Sequence, residues 1–263
     1  MKQYSLIVIA IFVLTSSCTL AIQPPTPPAF VADISSTMTQ ASINQTVPIT
    51  FTPTVTTTPE VFLPTDKEVI FRDNFVESLE DGWEWVNEDP STWSLATLQD
   101  TLQIQSEFGY IHLGSAKNLL LRSVPQEDFI AETSLNFFAS ESDQFAGIVL
   151  MESEENFLQS GLGYCAEALG CIRNGFYIDS YQNGDLLLPR VFSIFDENII
   201  FIRMAVQDNV LQIFASTDGL VWYRNFQKPL TFKPLKVGLF TGQNTDTNLI
   251  SATFEYFEIS SFK

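Results

Sequence analysis

The sequence predicts an all-β domain built as an antiparallel two-sheet sandwich. Three observations lead there. From residue 67 onward, short runs of alternating or continuous apolar residues recur, turn dipeptides separate them, and no long segment carries helical periodicity. In Phe129 to Phe137, Ala131, Thr133, Leu135 and Phe137 fall on one face and Glu132, Ser134 and Asn136 on the other, as the two-residue strand period requires. Phe145 to Met151 is nearly continuous in apolar residues, the mark of a strand buried on both faces. Ile199 to Val206, Val210 to Ala215, Val237 to Thr241 and Thr253 to Ile259 add further strands. The pairs Asn174-Gly175, Asn183-Gly184, Asp208-Asn209 and Asp218-Gly219 read as turns, since Asn, Asp and Gly tolerate the positive φ of tight hairpins. Twenty-three phenylalanines predict a thick aromatic core.

What precedes this domain differs in kind. Residues 1–18 hold one basic residue, Lys2, an uncharged apolar run from Leu6 to Leu14, and then Thr15-Ser16-Ser17-Cys18. The run is too short to span a bilayer and has the length of a signal-peptide core. A cysteine at that junction resembles the lipobox of bacterial lipoproteins, in which the thiol carries lipid. The expectation is an exported protein anchored to the membrane through Cys18; the alternative is a secreted protein cut nearby, with Cys18 removed. Residues 19–66 contain 15 Ser or Thr, eight Pro and three charged residues, so they read as a disordered linker.

The domain, residues 67–263, has 12 Lys or Arg against 28 Asp or Glu, a net charge of −16. Such a surface repels phosphate backbones and anionic headgroups, which argues against nucleic acid and leaves cations or neutral ligands such as glycans. Beyond Cys18, the two cysteines Cys165 and Cys171 lie six positions apart, and in an exported chain they read as a disulfide closing a short loop. With a single histidine, His112, in a segment read as a strand, two thiols cannot complete a tetrahedral zinc site.

Several strings resemble a known domain type. They are Phe71-Arg-Asp-Asn-Phe75, Gly82-Trp-Glu-Trp85, Asp89-Pro-Ser-Thr-Trp-Ser-Leu95, Leu102-Gln-Ile104, Ala146-Gly-Ile-Val-Leu150, Ser216-Thr-Asp-Gly-Leu-Val-Trp222 and Val237-Gly-Leu-Phe240. In order and spacing they resemble the concanavalin A-like (laminin G-like) jelly rolls of the DUF1349 family and the related C-terminal domain of family 43 β-xylosidases, over about residues 69 to 260. The resemblance implies a jelly roll of two curved antiparallel sheets and a role in carbohydrate binding. The chain has no room for the catalytic propeller that the xylosidase domain accompanies.

Catalysis finds little support in the residues. Glycosidases of this fold use two carboxylates, and one group carries them in a Glu-x-Asp-x-x-Glu pattern that does not occur here. Glu152-Ser-Glu-Glu155 reads as a solvated loop, and Glu255 and Glu258, three apart on a strand, should face opposite ways. A nucleophile elbow is absent, and a Ser-His-Asp arrangement could draw only on His112.

Binding suits the residues better, because sugars stack their C–H faces on aromatic rings and direct hydroxyls to planar polar groups. Trp83 and Trp85 flank Glu84 in a loop-to-strand entry, and Tyr164, Tyr177 and Tyr181 cluster beside Arg173, Asn174 and Asp179. Trp83, Trp85, Tyr164, Arg173, Tyr177 and Tyr181 are the expected ligand contacts, whereas Trp93 and Trp222 read as core. Calcium, common in jelly rolls, would be held by Asp73 and neighbouring acidic loops; no other cofactor is expected. The leading reading is a non-catalytic, lipid-anchored glycan-binding module. The second is a structural or protein-interaction module, and the third a glycoside hydrolase.

Overall fold

The computed structural model describes residues 67–262, apart from 126–127, 142, 166–172, 188–190, 196 and 245–247. The signal segment, Cys18, the linker and Cys171 lie outside the described residues. Sixteen β-strands and a single 3-10 turn, Ile111–Leu113, account for the regular structure described. The strands are β1 Lys67–Asp73, β2 Glu84–Val86, β3 Trp93–Ser94, β4 Leu102–Gln105, β5 Leu119–Ser123, β6 Phe129–Asn136, β7 Gln144–Met151 and β8 Phe157–Cys165. They continue as β9 Arg173–Gln182, β10 Asp185–Leu186, β11 Val191–Ile194, β12 Ile199–Gln207, β13 Val210–Ser216, β14 Tyr223–Pro229, β15 Lys236–Gly242 and β16 Ser251–Phe262.

They form the expected sandwich. Sheet A runs β14-β13-β12-β6-β16-β4-β3, with β1 also paired to β16; sheet B runs β10-β9-β8-β7-β15-β5-β2, with β11 also paired to β9. Every strand pairing is antiparallel. The chain switches sheets between β6 and β7 and between β15 and β16, so the central pairs β6·β16 and β7·β15 join distant segments. Between the sheets lies a core that includes Leu135, Ile202 and Phe257 from sheet A and Ile148, Ile178 and Leu239 from sheet B. Each large side chain buried there stabilises the fold by roughly 1.5–3 kcal/mol.

The alternate positions of sheet B point outward and are also buried. Leu121, Val149, Met151, Phe157, Tyr177, Tyr181 and Phe240 form a second cluster with Ile111 and Ala116 of the segment 106–118, which covers part of this outer face. That cover explains why all eight residues of β7 are buried, as its unbroken apolar run predicts. Two glycines set the close approach of β7 and β8. Gly147 and Gly161 are register partners, and a Cβ on Gly161 would stand 1.9 Å from the Ala146 carbonyl oxygen.

Two expectations are corrected. Asn174-Gly175 is not a turn; both residues lie inside β9, where Gly175 faces Gly163. The turns at Asn183-Gly184 and Asp208-Asn209 do form, with φ of 53°, 81°, 49° and 60° in that order. Glu255 and Glu258 do not face opposite ways either. The β16–β6 register shifts between Phe254 and Tyr256, and this bulge turns Glu255 outward, where it accepts a hydrogen bond from Ser134 at 3.0 Å.

Candidate functional site

The outer face of sheet B brings aromatic and polar groups together. Along β9, Tyr177, Asp179 and Tyr181 share this face, and their partners on β8 are Gly161, Gln159 and Phe157. Gly147 and Gly161 lie between Phe240 and Tyr177 across the sheet, and Gln159 donates to the buried Asp179 carboxylate at 3.4 Å.

The segment 106–118 forms one wall. Asn87 Nδ2 donates to the carbonyls of Gly114 and Ala116 at 3.1 and 3.0 Å. Buried Asn118 accepts the Asp89 N–H at 2.7 Å and donates to Thr92 and Glu107. Gly114, at φ 63°, ends the 3-10 turn and accepts no side chain without strain. So held, His112 stacks on Tyr181 with centroids 4.9 Å apart and planes at 15°, and Tyr181 stacks in turn on Phe157 at 4.5 Å and 9°. Tyr110 lies 5.4 Å from His112.

The rings of Tyr110, His112 and Tyr181, with Asp143 and Gln159, line a hollow of about 30 Å³, room for a water or one hydroxyl group. Partial burial lowers the His112 pKa, so its imidazole is neutral at pH 7 and offers one donor and one acceptor. Burial, and then the nearby Asp143 charge, raise the Tyr110 pKa, which keeps that hydroxyl a neutral donor. Asp143 itself accepts from Asn244 Nδ2 at 2.8 Å. The hollow can therefore take an uncharged hydroxyl group.

Only some of the expected contacts share this face. Tyr177 and Tyr181 do, yet they are 2% and 8% exposed, so they form its floor more than its contact surface. Arg173 sits at the start of β9 in a left-handed conformation, φ 67°, and its carbonyl accepts the Tyr177 hydroxyl at 2.6 Å. Tyr164 faces the opposite way and packs on the inter-sheet core. Trp83 and Trp85 also pack there: Trp83 lies edge-on to Phe71 and Phe257, and Trp85 lies 4.8 Å from Trp93. Cys165 is buried beneath the same outer cluster, and its expected partner Cys171 is outside the described residues.

Asp73 is a scaffold residue. Its buried carboxylate accepts the N–H groups of Phe75 and Glu80 at 2.7 and 2.9 Å and the Trp83 indole at 2.8 Å, leaving little capacity for a cation. Among the described residues no group of three or more His, Cys, Asp or Glu side chains could hold a metal. His112, read as a strand residue, belongs to the 3-10 turn and to the hollow; the glycines on either side, Gly109 and Gly114, are the signal for that break.

The outer face of sheet A carries a second polar cluster. Arg203, Glu132, Glu258 and Arg72 are successive register partners across β12, β6, β16 and β1. Glu132 accepts from Arg203 and from the Tyr256 hydroxyl; Glu258 accepts from Lys67 at 2.7 Å and Arg72 at 2.6 Å. The Arg203 guanidinium also lies 3.8 Å from the centre of the Trp222 ring, and Trp222 is buried on this outer face. Both carboxylates are ion-paired, Glu132 with Arg203 and Lys67 and Glu258 with Lys67 and Arg72, which ties the four strands together.

Residues 72–260 match the family described as the β-xylosidase C-terminal concanavalin A-like domain. The chain belongs to that family. Among solved structures, the concanavalin A-like domain resembles the GH43 protein BlXynB of Bacillus licheniformis, with TM-score 0.64 and 22% identity over 72% of this chain and 38% of that one. The xylan β-1,4-xylosidase of Bacillus halodurans gives TM-score 0.61 and 17% identity over 72% and 39%. A glycosyl hydrolase family protein of Mycobacterium fortuitum gives TM-score 0.51 and 12% identity over 73% of this chain and 99% of that one. At these identities the likenesses show the fold. The chain spans about two fifths of the length of the two Bacillus proteins. No match is found among curated proteins.

Proposed function

We propose that this concanavalin A-like domain is a non-catalytic carbohydrate-recognition module, exported and held at the membrane by lipid on Cys18. The observation that carries it is the hollow on sheet B, where Tyr110 and His112 meet Asp143 and Gln159. Aromatic faces beside a few fixed, uncharged or acceptor groups suit a neutral sugar, and a net charge of −16 disfavours anionic ones. Membership of a xylosidase-associated domain family supports β-1,4-xylan and related plant polysaccharides as first ligands to try. The pairing of Glu132 and Glu258 with Arg203, Lys67 and Arg72 supports a non-catalytic reading. A Cys165–Cys171 disulfide belongs to the same exported reading.

The test is a glycan array of neutral plant, algal and bacterial polysaccharides, with the wild type and His112→Ala. Binding that His112→Ala weakens is the expected result. Failure to bind any of them would overturn the proposal in favour of a structural module. Release of reducing sugar would instead indicate a hydrolase. Labelling with a palmitate analogue in wild type and Cys18→Ala tests the anchor; equal incorporation would exclude Cys18 as the lipid site.

A further inference from the structure

On the side of the sandwich away from β2 and β3, the two sheets end in β11 and β14, neither of which pairs with a further strand among the described residues. Across this open edge the Ser193 hydroxyl donates to Asn225 Oδ1 at 3.0 Å. Beside that bridge is a cavity of about 250 Å³. Phe176 from β9, Phe195 just after β11 and Tyr223 from β14 supply its rings, while Ser193, Thr217 and Asn225 supply polar groups. Among the described residues, no carboxylate, ammonium or guanidinium lines it. Tyr223 is 46% exposed, so one tyrosine face is available where the cavity meets solvent.

We infer that this cavity binds one ring of an uncharged saccharide. Its volume falls just below the range of about 300–1,000 Å³ typical of drug-sized ligands, which suits a single pyranose. The ring faces pack against C–H surfaces, and the hydroxyl and amide groups match sugar hydroxyls without selecting a charge. Asn225 retains donor capacity: its Nδ2 has two protons, and one goes to the Tyr223 carbonyl at 3.0 Å. The cavity lies between the sheet edges, whereas the hollow lies on the outer face of sheet B, so a polysaccharide could engage two separate contacts and gain avidity.

This inference rests on the carbohydrate-recognition reading and is separable from it. Titration calorimetry of the full chain with xylohexaose compares wild type, Tyr223→Ala, Thr217→Trp and His112→Ala. Tyr223 and Thr217 are exposed, and unchanged circular dichroism verifies folding. The expected result is an affinity loss of about ten-fold in Tyr223→Ala, the scale of one lost aromatic contact. Thr217→Trp, which fills the cavity, should lose the same event, while His112→Ala should retain it. If Tyr223→Ala and Thr217→Trp bind like wild type while His112→Ala fails, the cavity site is refuted and the sheet B reading stands. If no variant, wild type included, binds xylohexaose or another neutral oligosaccharide, both fall. Binding of palmitate that Tyr223→Ala abolishes, with xylohexaose binding unaffected, would assign the cavity to an apolar ligand and overturn the proposal.

Discussion

Arg203 and Glu132 face each other across β12 and β6, and a single carboxylate oxygen of Glu132 accepts both Nε at 2.8 Å and Nη2 at 2.6 Å. Both side chains are buried. Removing one partner of such a pair strands the other charge, at a cost of about 3–5 kcal/mol. Arg203→Met should therefore lower the urea midpoint strongly, and Glu132→Gln should do so as well. The double variant Glu132→Leu/Arg203→Met should recover part of the loss, because apolar replacement of both partners leaves no stranded charge. Additive losses in the double variant would show that the pair is not coupled.

Acid should act through Glu258. Burial by itself would raise this carboxyl, but hydrogen bonds from Lys67 and Arg72 outweigh it and hold the pKa below 4.5. A depressed carboxyl contributes stability above its unfolded-state value, and that contribution disappears as pH falls through the folded value. Thermal unfolding measured from pH 7 down to pH 3 should show the midpoint falling below about pH 4.5. Glu258→Gln should be less stable than wild type at pH 7 and should flatten that fall. An unchanged slope would place the acid sensitivity elsewhere.

Two glycines separate crowding from backbone strain. Gly161→Ala puts its methyl into the β7 backbone and should disrupt the β7–β8 pairing, leaving little folded protein. Gly184→Ala meets nothing within 4 Å but stands at φ +81°, so it should cost about 1 kcal/mol in strain alone. Equal losses for both, by denaturant unfolding, would contradict the close approach of the two strands.

Asn87 is a positioning residue for the wall of the hollow, since it holds the carbonyls of Gly114 and Ala116. Asn87→Ala should loosen the segment carrying Tyr110 and His112. The expectation is weaker saccharide binding by several-fold with only about 1 kcal/mol lost in stability, the worth of ordinary hydrogen bonds. A stability loss with unchanged affinity would assign Asn87 to the fold alone.

The sandwich was legible because strand alternation reports a local, period-two fact: Phe129 to Phe137 alternates as its position in sheet A requires, and Phe145 to Met151 is buried on both faces. Elements that depend on distant partners were not. Nothing local announces the register shift beyond Phe254 that turns Glu255 outward, because it arises only when β16 pairs with β6. Trp83 and Trp85 look alike as binding or packing residues until Phe71, Phe257 and Trp93 are brought beside them. The hollow depends on residues 110–112 closing over Tyr181, about seventy positions on, and no spacing rule encodes that meeting. Of the expected contacts, Tyr181 lines the hollow and Tyr177 shares its face of the sheet, because the two sit two strand periods apart on β9.

The pairing of β1 with β16 sets Lys67 opposite Phe262. Tension applied between these two points would peel the strands apart one rung at a time, because load and hydrogen bonds are parallel, and antiparallel neighbours pulled from the same end open like a zipper. Under such a load the edge strand β1 can part from β16 while the central pairs β6·β16 and β7·β15 stay closed.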